Sequence, residues 1–247
     1  MARPLVKREG LKRLKARTAT EGARKPSKRG AEPPRDAQAS HMRLLLAAKK
    51  EFAEKGLMGA RVDEIARRAK VNKQLIYYHF GDKDGLYLAA LEHAYIDIRV
   101  SERRLNLSDL PPDKAMSKLV GFTFDYVRDN REFVLLLINE NMMKAKYLRR
   151  STAARLERSP LVELIAETLD RGIAHGLFRP KLDPVQLYIS IAGMCFFYMS
   201  NIHTLSVLFD RDLRSPAAME ERRSHVISFV MSSLVAPPSR IRLEHPR

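Results

Sequence analysis

The stretch Gly59-Ala-Arg-Val-Asp-Glu-Ile-Ala-Arg-Arg-Ala-Lys-Val-Asn-Lys-Gln-Leu-Ile-Tyr-Tyr-His-Phe-Gly-Asp-Lys-Asp-Gly-Leu86 decides the fold. Its apolar positions Val62, Ile65, Ala66 and Ala69 recur at helical spacing, pause at Lys70-Val71, and resume at Leu75, Ile76 and Phe80. Asn72 is a helix-capping residue type at the restart. Two short helices joined by a tight turn form the helix-turn-helix plan. The other face of the second helix carries Lys73, Gln74, Tyr77, Tyr78 and His79, long hydrogen-bonding side chains suited to base edges and phosphates. That helix is the candidate reader of a DNA major groove. The pattern alone also fits an ordinary pair of surface helices, because Tyr, Lys and Gln are common on solvated faces.

The flanking segments extend the plan. A helix is predicted from Ser40 to Lys55, with Leu44, Leu45, Ala48 and Phe52 on one stripe and Gly56 as its stop. Asp82 reads as the cap of a further helix that runs through Leu86, Leu88, Leu91, Tyr95, Ile96 and Ile98 toward Arg104. Lys83 then lies in its first turn, near the positive end of the dipole, as a phosphate grip, and Arg61 holds a similar place on the helix before. A helix of about 20 residues spans about 30 Å, so it can leave the head and enter a second domain as one rod.

Asn106 to Asp113, with Pro111-Pro112, reads as a loop. Five more helices are expected near 113–129, 131–147, 155–175, 183–206 and 216–234, with Asp183-Pro184 as cap and first-turn proline. No strand pattern of period two survives. The expected fold is all-α, about nine helices: a three-helix head over residues 39–86, then a helical bundle over 87–236. Residues 1–38 read as a flexible basic arm and 237–247 as a flexible tail. Leu5, Val6, Leu11 and Leu14 could form a helical turn or two within the arm.

The chain of 247 residues carries a net charge of +16, which points to an acidic polymer or surface as partner. Half of that excess sits in residues 1–38, where 12 Lys/Arg face 4 Asp/Glu. This segment reads either as an arm that follows a nucleic-acid backbone or as a solubilising tail. The lone Cys195 excludes an internal disulfide and fits a reducing compartment. No run of 18 apolar residues and no signal-peptide core occurs, so a cytoplasmic protein without a membrane partner is expected.

Catalytic chemistry is sparse. The histidines His41, His79, His93, His175, His203, His225 and His245 form no pair at metal-binding spacing, and there is no phosphate loop or nucleophile elbow. No enzyme activity, metal or cofactor is expected. Two segments are unusual for plain core: Phe133-Val-Leu-Leu-Leu-Ile-Asn-Glu-Asn-Met-Met143, and the Gly193–Met199 run around Cys195. With the aromatic cluster at 122–126 they supply candidates for a small-molecule pocket between helices: Phe122, Tyr126, Leu137, Glu140, Asn141, Met143, Met194, Phe197 and Tyr198. Met and Phe at helical spacing fill bundle cores as readily.

The segments Phe52-Ala-Glu-Lys-Gly56, Val62-x-x-Ile65-Ala66 and Val71-Asn-Lys-Gln-Leu-Ile-Tyr-Tyr-His-Phe80-Gly-Asp-Lys83 resemble the DNA-binding domain of the TetR family of transcriptional regulators. The resemblance runs from Leu44 to Leu88, and Gly172-x-x-x-Gly176-x-Phe178-Arg-Pro-x-x-Asp183-Pro184 resembles that family's C-terminal domain. It implies a homodimer joined by the last two helices, a double-stranded DNA operator, and a small-molecule effector. Lys73, Gln74 and Tyr77 would then touch bases, and Arg61, Tyr78, His79 and Lys83 phosphates. Three positions depart from the family pattern: Ala60 replaces a Thr cap, Lys70 a turn Gly, and Leu75 a phosphate-bonding Thr. The reading is a ligand-responsive, sequence-specific repressor. Its rivals are a sequence-tolerant nucleic-acid binder driven by the basic arm and a small-molecule-binding enzyme.

Overall fold

The computed structural model describes residues 35–151 and 160–235. Most of the predicted basic arm, the C-terminal tail and the start of the helix predicted at 155 lie outside the described residues. Nine α-helices and two single 3₁₀ turns make up the described residues, with no strand among them: α1 (Arg35–Gly59), α2 (Val62–Ala69), α3 (Gln74–Phe80), α4 (Lys83–Arg103), α5 (Pro112–Asp129), α6 (Arg131–Met142), α7 (Pro160–Ala174), α8 (Pro184–Leu208) and α9 (Pro216–Leu234). The turns fall at Leu107–Asp109 and Leu148–Arg150.

Helix boundaries follow the local chemistry. Asp82, Asp183 and Ser215 cap α4, α8 and α9 by accepting backbone N–H bonds, and Pro112, Pro184 and Pro216 begin their helices where no N–H is needed. α1 starts five residues earlier than predicted and passes through its expected stop. Gly56 takes φ 66° and breaks the helical path, and one more turn follows to Gly59. The helix predicted over 131–147 ends at Met142, because Lys144 and Ala145 both adopt positive φ.

Two apolar cores organise the molecule. The first joins Leu44, Ala48 and Phe52 of α1 to Ile65 of α2, Ile76 of α3, Leu86, Tyr87 and Leu91 of α4, and then Tyr126, Phe133, Leu136 and Tyr147. The head therefore shares its core with α5 and α6, and α4 runs across the predicted boundary at residue 86. The second core joins Met116, Leu119, Val120 and Phe124 of α5 to Leu161, Ile165 and Leu169 of α7, Ile191 and Cys195 of α8, and Val226 and Val230 of α9.

α8 is long and apolar enough to cross a membrane by length and composition, with mean hydropathy 1.3 and only 22% of that window buried. Leu187, Ile191, Cys195, Tyr198 and Ile202 nonetheless pack inward on the bundle. Its exposed face alternates Val185, Ile189 and Phe197 with Gln186, Ser190 and Thr204, a mixed surface rather than the all-round apolar girth of a spanning helix.

Burial pushes the Cys195 thiol up to about 12, which leaves it protonated and inert at neutral pH. It should resist a thiol-specific disulfide reagent at pH 8 in the native protein and react fully once urea unfolds the chain. The Phe178 ring packs directly on Gly172, where an added Cβ would stand 1.9 Å from a ring carbon. Gly172→Ala should therefore cost about 1–3 kcal/mol in urea unfolding, the usual range for an overpacked core.

Candidate nucleic-acid interface and interior cavity

The recognition helix is built from both ends. Asn72 Oδ1 accepts the Gln74 N–H at 2.8 Å and caps α3. Ahead of it, Lys70 occupies the left-handed region at φ 54°, ψ 45°, the conformation a turn Gly would take at less cost. Its backbone N–H closes α2 on Arg67. Behind α3, Asp82 Oδ1 accepts the Gly85 N–H at 2.7 Å, and the Phe80 carbonyl approaches so closely that a Cβ on residue 85 would stand 2.1 Å from it. The end of α3 is thus pressed against the first turn of α4.

The missing Thr cap on α2 is answered by Glu51, whose fully buried carboxylate accepts the Arg61 N–H at 3.3 Å. The same carboxylate pairs with Lys55 at 2.9 Å and Arg68 at 3.2 Å. Arg68 also reaches Glu54 and Glu64, so it is a structural clasp between α1 and α2 rather than a plain solvated charge. Arg67 holds Glu64 well below the ordinary carboxylate range, at about 2.

Ile76 faces inward, while Lys73, Gln74, Tyr77 and Tyr78 point to solvent. Tyr78 is 80% exposed and Tyr77 48%. Lys73 Nζ sits 2.7 Å from Asp63, whose carboxyl it holds below the usual range through that hydrogen bond. Arg61 is exposed at the start of α2. Lys83 is half-buried and donates to the Met58 carbonyl at 3.3 Å, tying the start of α4 to the end of α1. His79 does not share the outward face. It lies one helical turn from Leu75 and Ile76, its ring meets His41 edge-on at 5.3 Å, and its Nε2 is buried without a hydrogen-bond partner. Spacing of three and four residues from the inward positions is the physical reason, and it makes His79 a packing residue between α1 and α3.

A cavity of about 360 Å³ opens between α4, α5, α6 and α8. Phe122, Leu137 and Asn141 of the candidate pocket residues line it. The other six lie elsewhere. Tyr126 packs in the head-side core against Phe133, ring centroids 5.5 Å apart, and Met143 joins that core. Glu140 is buried as the acceptor of the Tyr147 and Leu148 N–H groups, each at 2.8 Å, which closes the turn after α6. Met194 packs against the bundle core, Phe197 is exposed, and the Tyr198 hydroxyl donates to the Leu213 carbonyl. The sequence reading missed the α4 wall of the cavity, Tyr95, Ile98, Arg99 and Glu102. Its signal was available: these residues recur at helical spacing, with an arginine and a glutamate set on an otherwise apolar stripe.

An outward three-helix head on a helical bundle defines the class: a helix-turn-helix DNA-binding regulator. Residues 44–90 match the family model of bacterial regulatory proteins, tetR family, and residues 112–230 match that of the tetracyclin repressor-like C-terminal domain. The HTH-type transcriptional repressor NicS of Pseudomonas putida is 34% identical over 191 residues, 77% of this chain and 90% of that protein. The HTH-type transcriptional activator FasR of Mycolicibacterium smegmatis is 34% identical over 124 residues, 48% of this chain and 55% of that protein. Among solved structures, a Streptomyces coelicolor protein described as a transcriptional regulator superposes with TM-score 0.55 at 25% identity, covering 80% of this chain and 99% of its own. A TetR-family regulator of Mesorhizobium loti shares the fold with TM-score 0.58 at 18% identity, covering 83% of this chain and all of its own. The chain belongs to the TetR family of transcriptional regulators; it is a DNA-binding regulator, not an enzyme.

The base and phosphate roles expected of exposed Gln74 and half-buried Lys83 make different predictions. Gln74→Ala should relax base preference at one operator position, as expected for a side chain that pairs with adenine, whereas Lys83→Ala should weaken all duplexes alike; competitive binding against a panel of single-base operator variants separates the two.

Proposed function

We propose that this protein is a homodimeric, cytoplasmic repressor that binds a palindromic DNA operator and leaves it when a small molecule enters the bundle cavity. The observation that carries the reading is the double attachment of α4. Its first turn is capped and packed against the recognition helix through Asp82 and Gly85. Farther along, Tyr95, Ile98, Arg99 and Glu102 form a wall of the cavity. A ligand that favours one placement of this rod favours one placement of α3, and its effect on DNA is set by its different affinities for the two placements.

Dimerisation is supported by apolar side chains left in solvent on the last two helices: Val185, Ile189, Phe197, Val207 and Leu208 on α8, and Phe229 on α9. Large apolar side chains exposed on two neighbouring helices, even set among polar ones, are surface that a partner's helices could cover. A two-fold assembly would set two copies of α3 about one DNA turn apart, roughly 34–36 Å or a modest expansion of it, and this spacing matches a palindrome. Repression is inferred from NicS, a transcriptional repressor and a relative matched over most of its length. Lys73, Gln74 and Tyr77 would meet bases, and Arg61, Tyr78 and Lys83 phosphates. With His79 turned inward, it would act by bracing α3.

Salt titration tests the reading. A dimer neutralising six to ten phosphates should lose about 10³- to 10⁵-fold in operator affinity between 50 and 200 mM salt, while keeping a preference over scrambled duplex at each concentration. A flat salt response would refute operator binding. Loss of nearly all binding after removal of residues 1–38 would favour a sequence-tolerant binder.

A further inference from the structure

The α4 wall of the cavity contains an ion pair with unused capacity. Arg99 and Glu102 are buried, 7% and 0% exposed, and both line the cavity. Arg99 Nη1 donates to both Glu102 oxygens at 2.7 Å. Its Nε is also buried, yet no protein atom accepts from it. A buried guanidinium N–H without an acceptor costs free energy until something supplies one; the Tyr188 side chain interacts with the same guanidinium, and the cavity is the other source of an acceptor. The rest of the lining is mostly apolar and aromatic, with Phe122, Phe133 and Phe196 among it, and its other polar groups are the uncharged side chains of Thr123, Asn141, Tyr95 and Tyr188.

The charge of this site is already balanced. Glu102 neutralises Arg99 at hydrogen-bonding distance, so the pair presents a donor but no net positive charge. An organic anion entering the cavity would give up its hydration and meet Glu102 as well as Arg99, and in a low-dielectric interior that leaves one negative charge uncompensated. An uncharged carbonyl oxygen suffers no such penalty and satisfies the idle N–H. An arginine in an aromatic pocket often suggests an acid as ligand; here the adjacent carboxylate reverses that preference.

We propose that the cavity selects an uncharged, largely apolar ring compound bearing a carbonyl or similar acceptor, received by Arg99 Nε–H, and that Glu102 is the specificity residue that turns organic acids away. This rests on the cavity being the effector site, but the chemistry of binding is separable from its effect on DNA. Burial holds the Glu102 carboxyl above its ordinary range, against the pull of Arg99.

The test is calorimetric titration of the full-length protein at pH 7 with 2-naphthamide and 2-naphthoate, which share a ring system and differ in charge. The wild type should hold the amide at least tenfold more tightly. Glu102→Gln removes the opposing charge and should reverse the order in favour of the acid. The double variant Arg99→Met/Glu102→Leu, which keeps an apolar core should the single change unfold the protein, should lose the amide about tenfold. Naphthoate binding the wild type as tightly as the amide, an unchanged order in folded Glu102→Gln, or no saturable amide binding overturns the proposal. Amide binding with the expected preference but no release of DNA would instead overturn the effector reading and leave the ligand chemistry standing.

Discussion

The packing of α1 against both α4 and α6 is the constraint from which the rest of the structure follows. An isolated head of three short helices buries little apolar surface, and α2 and α3, at 8 and 7 residues, are too short to be stable alone. Their stability comes from Ile65 and Ile76 closing onto Phe52, Leu86 and Tyr87, each fully buried. Burial of a side chain of this size contributes about 1.5–3 kcal/mol. The same core continues through Phe133, Leu136 and Tyr147, and hydrogen bonds cross with it: Asn139 Nδ2 donates to the Phe52 carbonyl at 3.2 Å, and the Tyr147 hydroxyl to Asp84 at 2.8 Å. A head that depends on α6 for part of its core cannot swing freely. Its orientation is coupled to the packing of the bundle, which is the property a regulator of this design requires.

In the proposed mechanism the cavity exploits that coupling. It touches α6 through Phe133 and Leu137 on one side and α4 through Tyr95 and Arg99 on another, so its contents bear on both elements that hold the head. Small displacements there would reach α3 through the tight contact of Gly85 with the Phe80 carbonyl rather than through a flexible joint. Packed interfaces favour alternative discrete arrangements over gradual deformation, so a modest ligand can select between two placements of the reading helices.

Much of this was legible in the sequence, for reasons that differ by element. The head was readable because caps, turn and apolar spacing all agree at Asn72, Lys70, Asp82 and Ile76, and the all-helical bundle because proline and aspartate mark its helix starts. The pocket was less legible. Glu140 interrupts an apolar run, which suggested a ligand contact, but a buried carboxylate serves equally well to gather two backbone N–H groups of a turn. Tyr198 and Phe197 are neighbours in sequence, yet helical geometry sends one inward and the other to solvent. Arg99 and Glu102 were passed over, although they sit at helical spacing on an otherwise apolar stripe of α4. The inward turn of His79 follows from its angular distance from Ile76 rather than from its residue type.

The central claim is that two copies of α3 face outward at a separation set by a rigid, shared core. The most direct measurement is pulsed electron resonance between spin labels at residue 78 of Tyr78→Cys, where the substituted position is exposed while Cys195 is shielded in the bundle. The account predicts a single dominant distance between copies near one DNA turn, about 34–36 Å or a modest expansion of it. No distance between copies, or a broad spread without a maximum in that region, would contradict it.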